Sequence, residues 1–270
     1  MTKNKITTAI ILAAGVGSRI RPLTDNCPKS LLTIDGKTII EWMITNIREC
    51  GIDDFVVVLG YLEDQIRDFI AVTFPDLKVS FIVNELYAET NTGYSLMLAA
   101  DAVQGKGFVK FDADVVFDKT ILKDLMDSDF ETCLCVDTNI QLDAEEIKVA
   151  IHENNRVTHA SKTLDPNDAI GESIGIEKIS QETATILFNE LQLMMEDQSN
   201  HQEYYEVAYE RLIEQDVAFF ALDITGLKWV EIDTQDDFSE AARLFQTTEV
   251  FPFYNYPSPQ PSINSTPAVG

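Results

Sequence analysis

Apolar positions follow two periods along the chain. Ile6 to Leu12 is a nearly unbroken apolar, β-branched run, the pattern of a strand buried on both faces. Thr38 to Cys50 carries Ile39, Ile40, Met43, Ile44 and Ile47 at helical spacing and stops at Gly51. Phe55 to Leu59 repeats the strand pattern, Glu63 to Phe74 the helical one before Pro75, and Val79 to Val83 gives a third strand. Alternation of this kind predicts βαβ units: a Rossmann-like α/β fold with a mostly parallel central sheet and helices on both faces.

The same reading continues downstream. Phe108 onward is an apolar strand, Asp118 to Asp127 a capped helix and Thr132 to Asp137 another strand. Lys148–His152 and Arg156–Ala160, joined at Asn154-Asn155, predict a small β elaboration. Gly171 to Lys178 reads as a strand whose glycines let a ligand or another backbone approach. Gln181 to Glu196 is helical with its methionines in the core, and a further helix ends at Gln215. Val217–Leu222 and Lys228–Ile232 are the last strands, and Asp233–Asp237 caps a helix ending near Phe245. From Thr247 the residues are Pro, Ser, Asn and aromatics without a period. One domain over 1–246 and a tail over 247–270 are therefore expected, the tail's aromatics docking on the body or on a second subunit, as in a homodimer.

Charge narrows the function. The net charge of −25 excludes nucleic acid and an anionic membrane surface as partners, since both need a basic face. No signal peptide and no apolar run of membrane-spanning length is seen, so a reduced, cytoplasmic protein is expected. The four cysteines have no zinc spacing; Cys133 and Cys135 share one face of a strand, and nothing marks Cys27 as a nucleophile. His152, His159 and His201 are scattered.

The few cations concentrate where chemistry is expected. After the first strand comes Leu12-Ala13-Ala14-Gly15-Val16-Gly17-Ser18-Arg19-Ile20-Arg21-Pro22, closed by Pro28-Lys29. Small residues let the backbone approach a bulky ligand, its N–H groups can face an anion, and Arg19, Arg21 and Lys29 add charge. A loop of this kind at the carboxyl end of a central strand suits a triphosphate. It is not a Walker A loop, for no Gly-Lys-Ser/Thr occurs, nor a dinucleotide fingerprint, whose third glycine is replaced by Ile20. At Thr90, Asn91 and Thr92 a helix N-cap and a base-reading edge are both open readings. Asp112 and Asp114 close the strand from Phe108, and carboxylates there are costly unless they meet a cation or donors. Beside a triphosphate that cation is Mg²⁺.

The pattern LAAGxGSRxxPLTxxxPKxL resembles the signature of the sugar-nucleotide-type nucleotidyltransferases. With the segments NxxYAETNxxYSLxLA, FDADVVFD, GESIGIEK, YYE and WVEIDTQDD, residues 6–246 are similar to the family's phosphocholine cytidylyltransferase-like branch. The resemblance implies the nucleotide-diphospho-sugar transferase type of fold. It also implies a nucleotide site formed by Leu12, Ala13, Ala14, Gly15, Gly17, Ser18, Asn91, Ser95 and Asp112, and Arg19, Lys29 and Lys162 at the reacting phosphates. Asp114 and Asp233 would ligate Mg²⁺, and Tyr94, Glu172, Tyr204, Tyr205 and Glu206 would form the acceptor pocket. Cys27 stands where an arginine is common, and Thr92 where a second asparagine is common.

The expected reaction is transfer of CMP from CTP to a small phosphorylated acceptor, phosphocholine-like, with release of pyrophosphate. Tyr94, Tyr204, Tyr205, Trp229, Glu172 and Glu206 suit a cationic head group. The rivals are a hexose-1-phosphate uridylyl- or thymidylyltransferase and a non-catalytic nucleotide sensor, which would be expected to lose Lys29, Asp114 or Asp233. Replacing Lys29 or Asp114 is expected to stop turnover with little effect on folding.

Overall fold

A computed structural model describes residues 6–246; the expected tail lies outside the described residues. In chain order the strands are β1 (Thr8–Ala13), a short hairpin of β2 (Thr33–Ile34) and β3 (Lys37–Thr38), β4 (Asp54–Leu59), β5 (Lys78–Val83), β6 (Phe108–Asp112) and β7 (Val115–Phe117). They continue with β8 (Cys133–Asp137), β9 (Lys148–Ile151), β10 (Val157–Ser161), β11 (Gly171–Ile179), β12 (Phe220–Asp223) and β13 (Trp229–Glu231). The helices are α1 (Ile39–Glu49), α2 (Glu63–Thr73), α3 (Thr92–Leu98), α4 (Ala100–Val103), α5 (Lys119–Asp127), α6 (Gln181–Met195), α7 (Glu206–Glu214) and α8 (Gln235–Leu244).

Period two in the strands decides the layers. Ala9, Ile11 and Ala13 of β1 face one side and Ile10 and Leu12 the other; Phe55, Val57 and Leu59 of β4 are likewise opposed to Val56 and Val58. All are buried, because helices cover both faces. The first face packs against α1, α2 and α5 through residues such as Met43, Ile66 and Leu122. The second packs against α3, α6 and α7 through Leu96, Leu187, Met194 and Tyr209. Cys133 and Cys135 point together into the first core and are fully buried.

The main sheet runs β10-β9-β11-β6-β1-β4-β5, with β8 and β12 branching from β11. β6, β1, β4 and β5 pair in parallel, so β1 is central and its loop opens at the carboxyl edge of the sheet. β11 runs antiparallel to β6, and the β9–β10 elaboration joins the same sheet through β11. The turn between these last two strands sits at Asn154 and Asn155, both at positive φ. No helix among the described residues is long and apolar enough to cross a membrane.

A third, smaller core fastens the ends of the chain. Ile20 of the first loop, Ile34, Ile39, Val116 of β7, Ile232 and Ala241 of α8 pack together, nearly all fully buried. β7 pairs antiparallel with β13, and the Ile232 amide donates to the Asp114 carbonyl at 3.1 Å. Residues 114 and 233 are thereby brought face to face across a two-stranded sheet.

Candidate functional site

The first loop is held by its own side chains. Thr24 Oγ1 donates to the Gly17 carbonyl at 2.7 Å, and the Tyr61 hydroxyl reaches the carbonyls of Thr24 and Asp25. Gly17 sits at φ +63°, and a Cβ there would fall 3.1 Å from Thr24 Cγ2 and 3.3 Å from Lys29 Cβ. Gly15 is different: its φ is not in the left-handed region and nothing lies within 4 Å of a Cβ built on it. Gly17→Ala is accordingly expected to lower the melting temperature, because backbone strain and crowding combine there. Gly15→Ala is expected to leave the melting temperature in place and raise the KM for the nucleotide. A reversal of the two phenotypes in thermal denaturation and kinetics overturns this division of labour.

Two cavities open on this loop and share a wall. A smaller one of about 140 Å³ is lined by Leu12, Ala13, Ala14 and Gly15 on one side and by Tyr87, Thr90, Asn91 and Ser95 on the other. A larger one of about 300 Å³ is lined by Gly17, Ser18 and Arg19, by Lys162, Glu172 and Gly175, and by Tyr204, Tyr205 and Glu206. Gly15, Lys29, Asn91, Thr92, Asp112 and Asp114 line both.

At the junction Lys29 Nζ lies 2.8 Å from Asp114 Oδ2 and 2.7 Å from Asp233 Oδ1. Burial alone would lower the Lys29 pKa, but the two carboxylates outweigh it and hold the ammonium charged well above its ordinary range. Burial would raise Asp114, yet the charge and hydrogen bond of Lys29 keep it below the usual carboxylate value. Arg19 closes the group, 2.7 Å from Asp233 Oδ2 and 3.0 Å from Glu145 Oε2. Lys162 Nζ is 3.9 Å from the same Glu145 oxygen and 4.7 Å from the centre of the Tyr204 ring.

Glu231 is the residue the sequence reading passed over. Its carboxylate and those of Asp114 and Asp233 have oxygens within 4.8 Å of one another. Burial, then Asp114 and Asp233, push Glu231 well above its ordinary pKa. Asp114 Oδ1 is buried without a hydrogen-bond partner. Converging oxygens with an orphaned acceptor fit a hard divalent cation. The signal was available: positions 231 and 233 are two apart on an extended segment and share a face.

Behind the larger cavity lies a buried charged cluster. Lys110, fully buried, stands opposite Glu177 in the β6–β11 register. Its ammonium is 2.8 Å from Asp112 Oδ2 and 2.8 Å from Glu177 Oε2, the second an ion pair whose angles fall short of a hydrogen bond. It also touches the Tyr205 hydroxyl, which itself lies 2.8 Å from Asp112 Oδ2. Burial, only partly offset by Lys110, pushes Glu177 up to about 8 and Glu206 up to about 7. Glu172 is raised to about 8 by burial and by the surrounding acids. β11 shifts register at this level, where a Cβ on Gly175 (φ +73°) would fall 2.5 Å from Asp112 Oδ2.

Asn91 is the N-cap of α3: its side chain accepts from the Thr92 amide at 2.8 Å and donates to the Gln202 carbonyl at 3.2 Å. It also lines both cavities. Ser95 accepts from the buried Asn84. Two residues fall elsewhere than expected. Tyr94 lines neither cavity and packs on His201, ring centres 5.0 Å apart. Trp229 also lines neither, its indole N–H donating to Asp137 at 2.8 Å. Tyr94 is expected in the pocket from the resemblance and, with Trp229, as an aromatic suited to a cationic head; each instead turns to a neighbouring packing partner. Glu145 and Glu146, which line the larger cavity, come from an irregular loop that carries no sequence signal.

Residues 9–142 match the model of the MobA-like NTP transferase domain. The CTP:phosphoglutamine cytidylyltransferase of Campylobacter jejuni is 29% identical over 251 residues, which cover 85% of this chain and 96% of that protein. The choline-phosphate cytidylyltransferase of Streptococcus pneumoniae is 39% identical over 106 residues, but these span only 44% of that protein. Among solved structures, the pneumococcal CTP:phosphocholine cytidylyltransferase LicC superposes with a TM-score of 0.73 at 23% identity, covering 89% of this chain and all of that one. The inositol-1-phosphate CTP transferase of T. maritima gives 0.76 at 20%, covering 90% and 96%. These two likenesses establish the fold, an α/β sheet of the nucleotide-diphospho-sugar transferase type.

Proposed function

We propose that this protein is a cytidylyltransferase that moves CMP from CTP onto a small phosphorylated acceptor of the phosphocholine kind and releases pyrophosphate. The observation that carries the reading is the meeting of two cavities at Lys29 and Asp114, with Asp233 across from them. In this reading the smaller cavity takes the nucleoside, with the backbone of residues 12–15 beneath it and Asn91, Ser95 and Asp112 around it. Gly17, Ser18, Arg19 and Lys29 face the triphosphate. Lys162 meets the acceptor phosphate, and Glu172, Tyr204, Tyr205 and Glu206 surround its cationic head.

A phosphate oxygen of the acceptor forms a bond to the α-phosphorus of CTP. The bond from that phosphorus to the β-phosphate oxygen breaks, and pyrophosphate leaves with the electron pair. A phosphate monoester has a second pKa of about 6, so the nucleophile is already deprotonated and needs no general base. That accounts for a junction built from cations and carboxylates without a histidine. The chain's task is to hold two polyanions in line, with Lys29, Arg19 and Lys162 offsetting their repulsion. Asp114 and Asp233, with Glu231 beside them, are the groups that would hold Mg²⁺, which when bound neutralises phosphate charge. The cytidylyltransferase names of the relatives support CTP as the nucleotide.

The test is pyrophosphate release with Mg²⁺ over a grid of nucleoside triphosphates and acceptors. Release with CTP and an amino-alcohol phosphate is expected. Release confined to UTP or dTTP with hexose 1-phosphates overturns the base and acceptor assignments.

A further inference from the structure

The larger cavity contains acids that the protein leaves unsatisfied. Glu172 is 5% exposed, lines the cavity and has no side-chain hydrogen bond or ion pair among the described residues. Glu206 is 7% exposed, lines the same cavity, and its Oε2 is buried without a partner. Asp112 Oδ1, in the shared wall, is likewise without a partner. Buried acceptors in native proteins are nearly always paired, and a carboxylate left alone is costly. Two such oxygens, Glu206 Oε2 and Asp112 Oδ1, with the unpaired Glu172 carboxyl lining the same cavity, call for a ligand that brings donors.

The ring faces tell the complementary story. A quaternary ammonium has no N–H and is recognised by open aromatic faces. Here the Tyr205 ring already has the Lys110 ammonium 3.7 Å from its centre and Tyr209 tilted against it at 5.2 Å. The Tyr204 ring already faces the Lys162 ammonium at 4.7 Å. Tyr94 and Trp229 are engaged outside the cavity. The protein's own lysines thus occupy the faces that a trimethylammonium group would use.

We infer that the acceptor's cationic head carries N–H donors, as a protonated amine does, and that Glu172 and Glu206 select it against a quaternary ammonium. The inference rests on the acceptor-phosphate reading of the same cavity and sharpens it to a substrate class: a small phosphate ester bearing an ammonium with at least one hydrogen.

A methylation series tests it on the full-length protein with CTP and Mg²⁺. The acceptors are phosphoethanolamine, its N-methyl and N,N-dimethyl forms and phosphocholine, with glycerol phosphate as the uncharged-head control. The series holds the phosphate and spacer constant and removes donors one at a time. The expected kcat/KM falls gently to the dimethyl compound and then drops by about tenfold or more at phosphocholine, because unpaired acceptors reject an analogue that lacks the donor. Phosphocholine matching or exceeding phosphoethanolamine overturns the inference while leaving the cytidylyltransferase reading intact. Silence across the series together with turnover of hexose 1-phosphates overturns both. Glu172→Gln and Glu206→Gln are expected to raise the KM for phosphoethanolamine, leave the KM for CTP unchanged and narrow the preference over phosphocholine. An equal loss for both acceptors argues for a merely structural role and overturns the assignment of these two residues.

Discussion

Lys29→Ala is expected to lower turnover by about 10²–10³-fold, the usual loss when one preorganised charge is removed from a developing anionic centre. The structure adds a second consequence. Lys29 separates Asp114 from Asp233 at 2.8 and 2.7 Å, and Glu231 stands beside them. Without the ammonium, three carboxylates confront one another in a largely buried setting, so the variant is also expected to melt earlier in chelator. This loss of melting temperature goes beyond the small effect on folding expected from the sequence, because Lys29 bridges two acids. Divalent cations are expected to restore much of the lost melting temperature, since an ion replaces the missing charge among the same oxygens. In the proposed reading Asp114 and Asp233 would hold the cation with oxygens that Lys29 now contacts, and the ammonium would then be free to meet phosphate. Near-normal turnover in Lys29→Ala, or a melting temperature indifferent to Mg²⁺, removes the junction from its proposed role.

Lys110→Met is expected to have the largest effect on stability. The side chain is fully buried and faces Asp112 and Glu177 at 2.8 Å each. Breaking a buried ion pair from one side costs about 3–5 kcal/mol, because the partner's charge stays behind. The loss has a definite pH dependence. Glu177 sits at about 8 in the folded protein, against an ordinary value of 4.5. Between these values the native state binds more protons than the unfolded chain, so its contribution is full below pH 4.5 and fades as pH rises toward 8. Removing Lys110 raises the folded values further and steepens that decline. The deficit of Lys110→Met relative to wild type is therefore expected to be small at pH 5 and large at pH 8, read from urea midpoints. Equal deficits at the two pH values mean that the lysine contributes packing rather than charge.

How much was legible follows from the range of each signal. Strand and helix periods are local, and the expected elements from Ile6 to Val83 match β1, α1, β4, α2 and β5 within a residue or two at most ends. The first loop was legible because glycines, small residues and cations crowd into eleven consecutive positions. Lys110 was not: one lysine inside an apolar strand looks like noise until its antiparallel neighbour supplies Glu177. Nor was the contact between Arg19 and Glu145, 126 residues apart and set by an irregular loop. Tyr205 was read as a wall of the acceptor pocket; it lines the cavity, but its hydroxyl turns inward to Asp112 and Lys110.

The small core of Ile20, Ile34, Val116, Ile232 and Ala241 has a consequence for how the protein is made. Synthesis runs from the N-terminus, so the glycine loop and Asp114 leave the ribosome more than a hundred residues ahead of Asp233. Until β13 and α8 emerge, the apolar side chains of the first loop and of β7 lack their covering partners, and Lys29 has only one of its two acids. The last stretch of the described chain acts as a clasp. A nascent or truncated chain that stops before Ile232 can complete the parallel half of the sheet and still possess no junction. The junction therefore reports on synthesis through α8 in a way that the parallel half of the sheet does not.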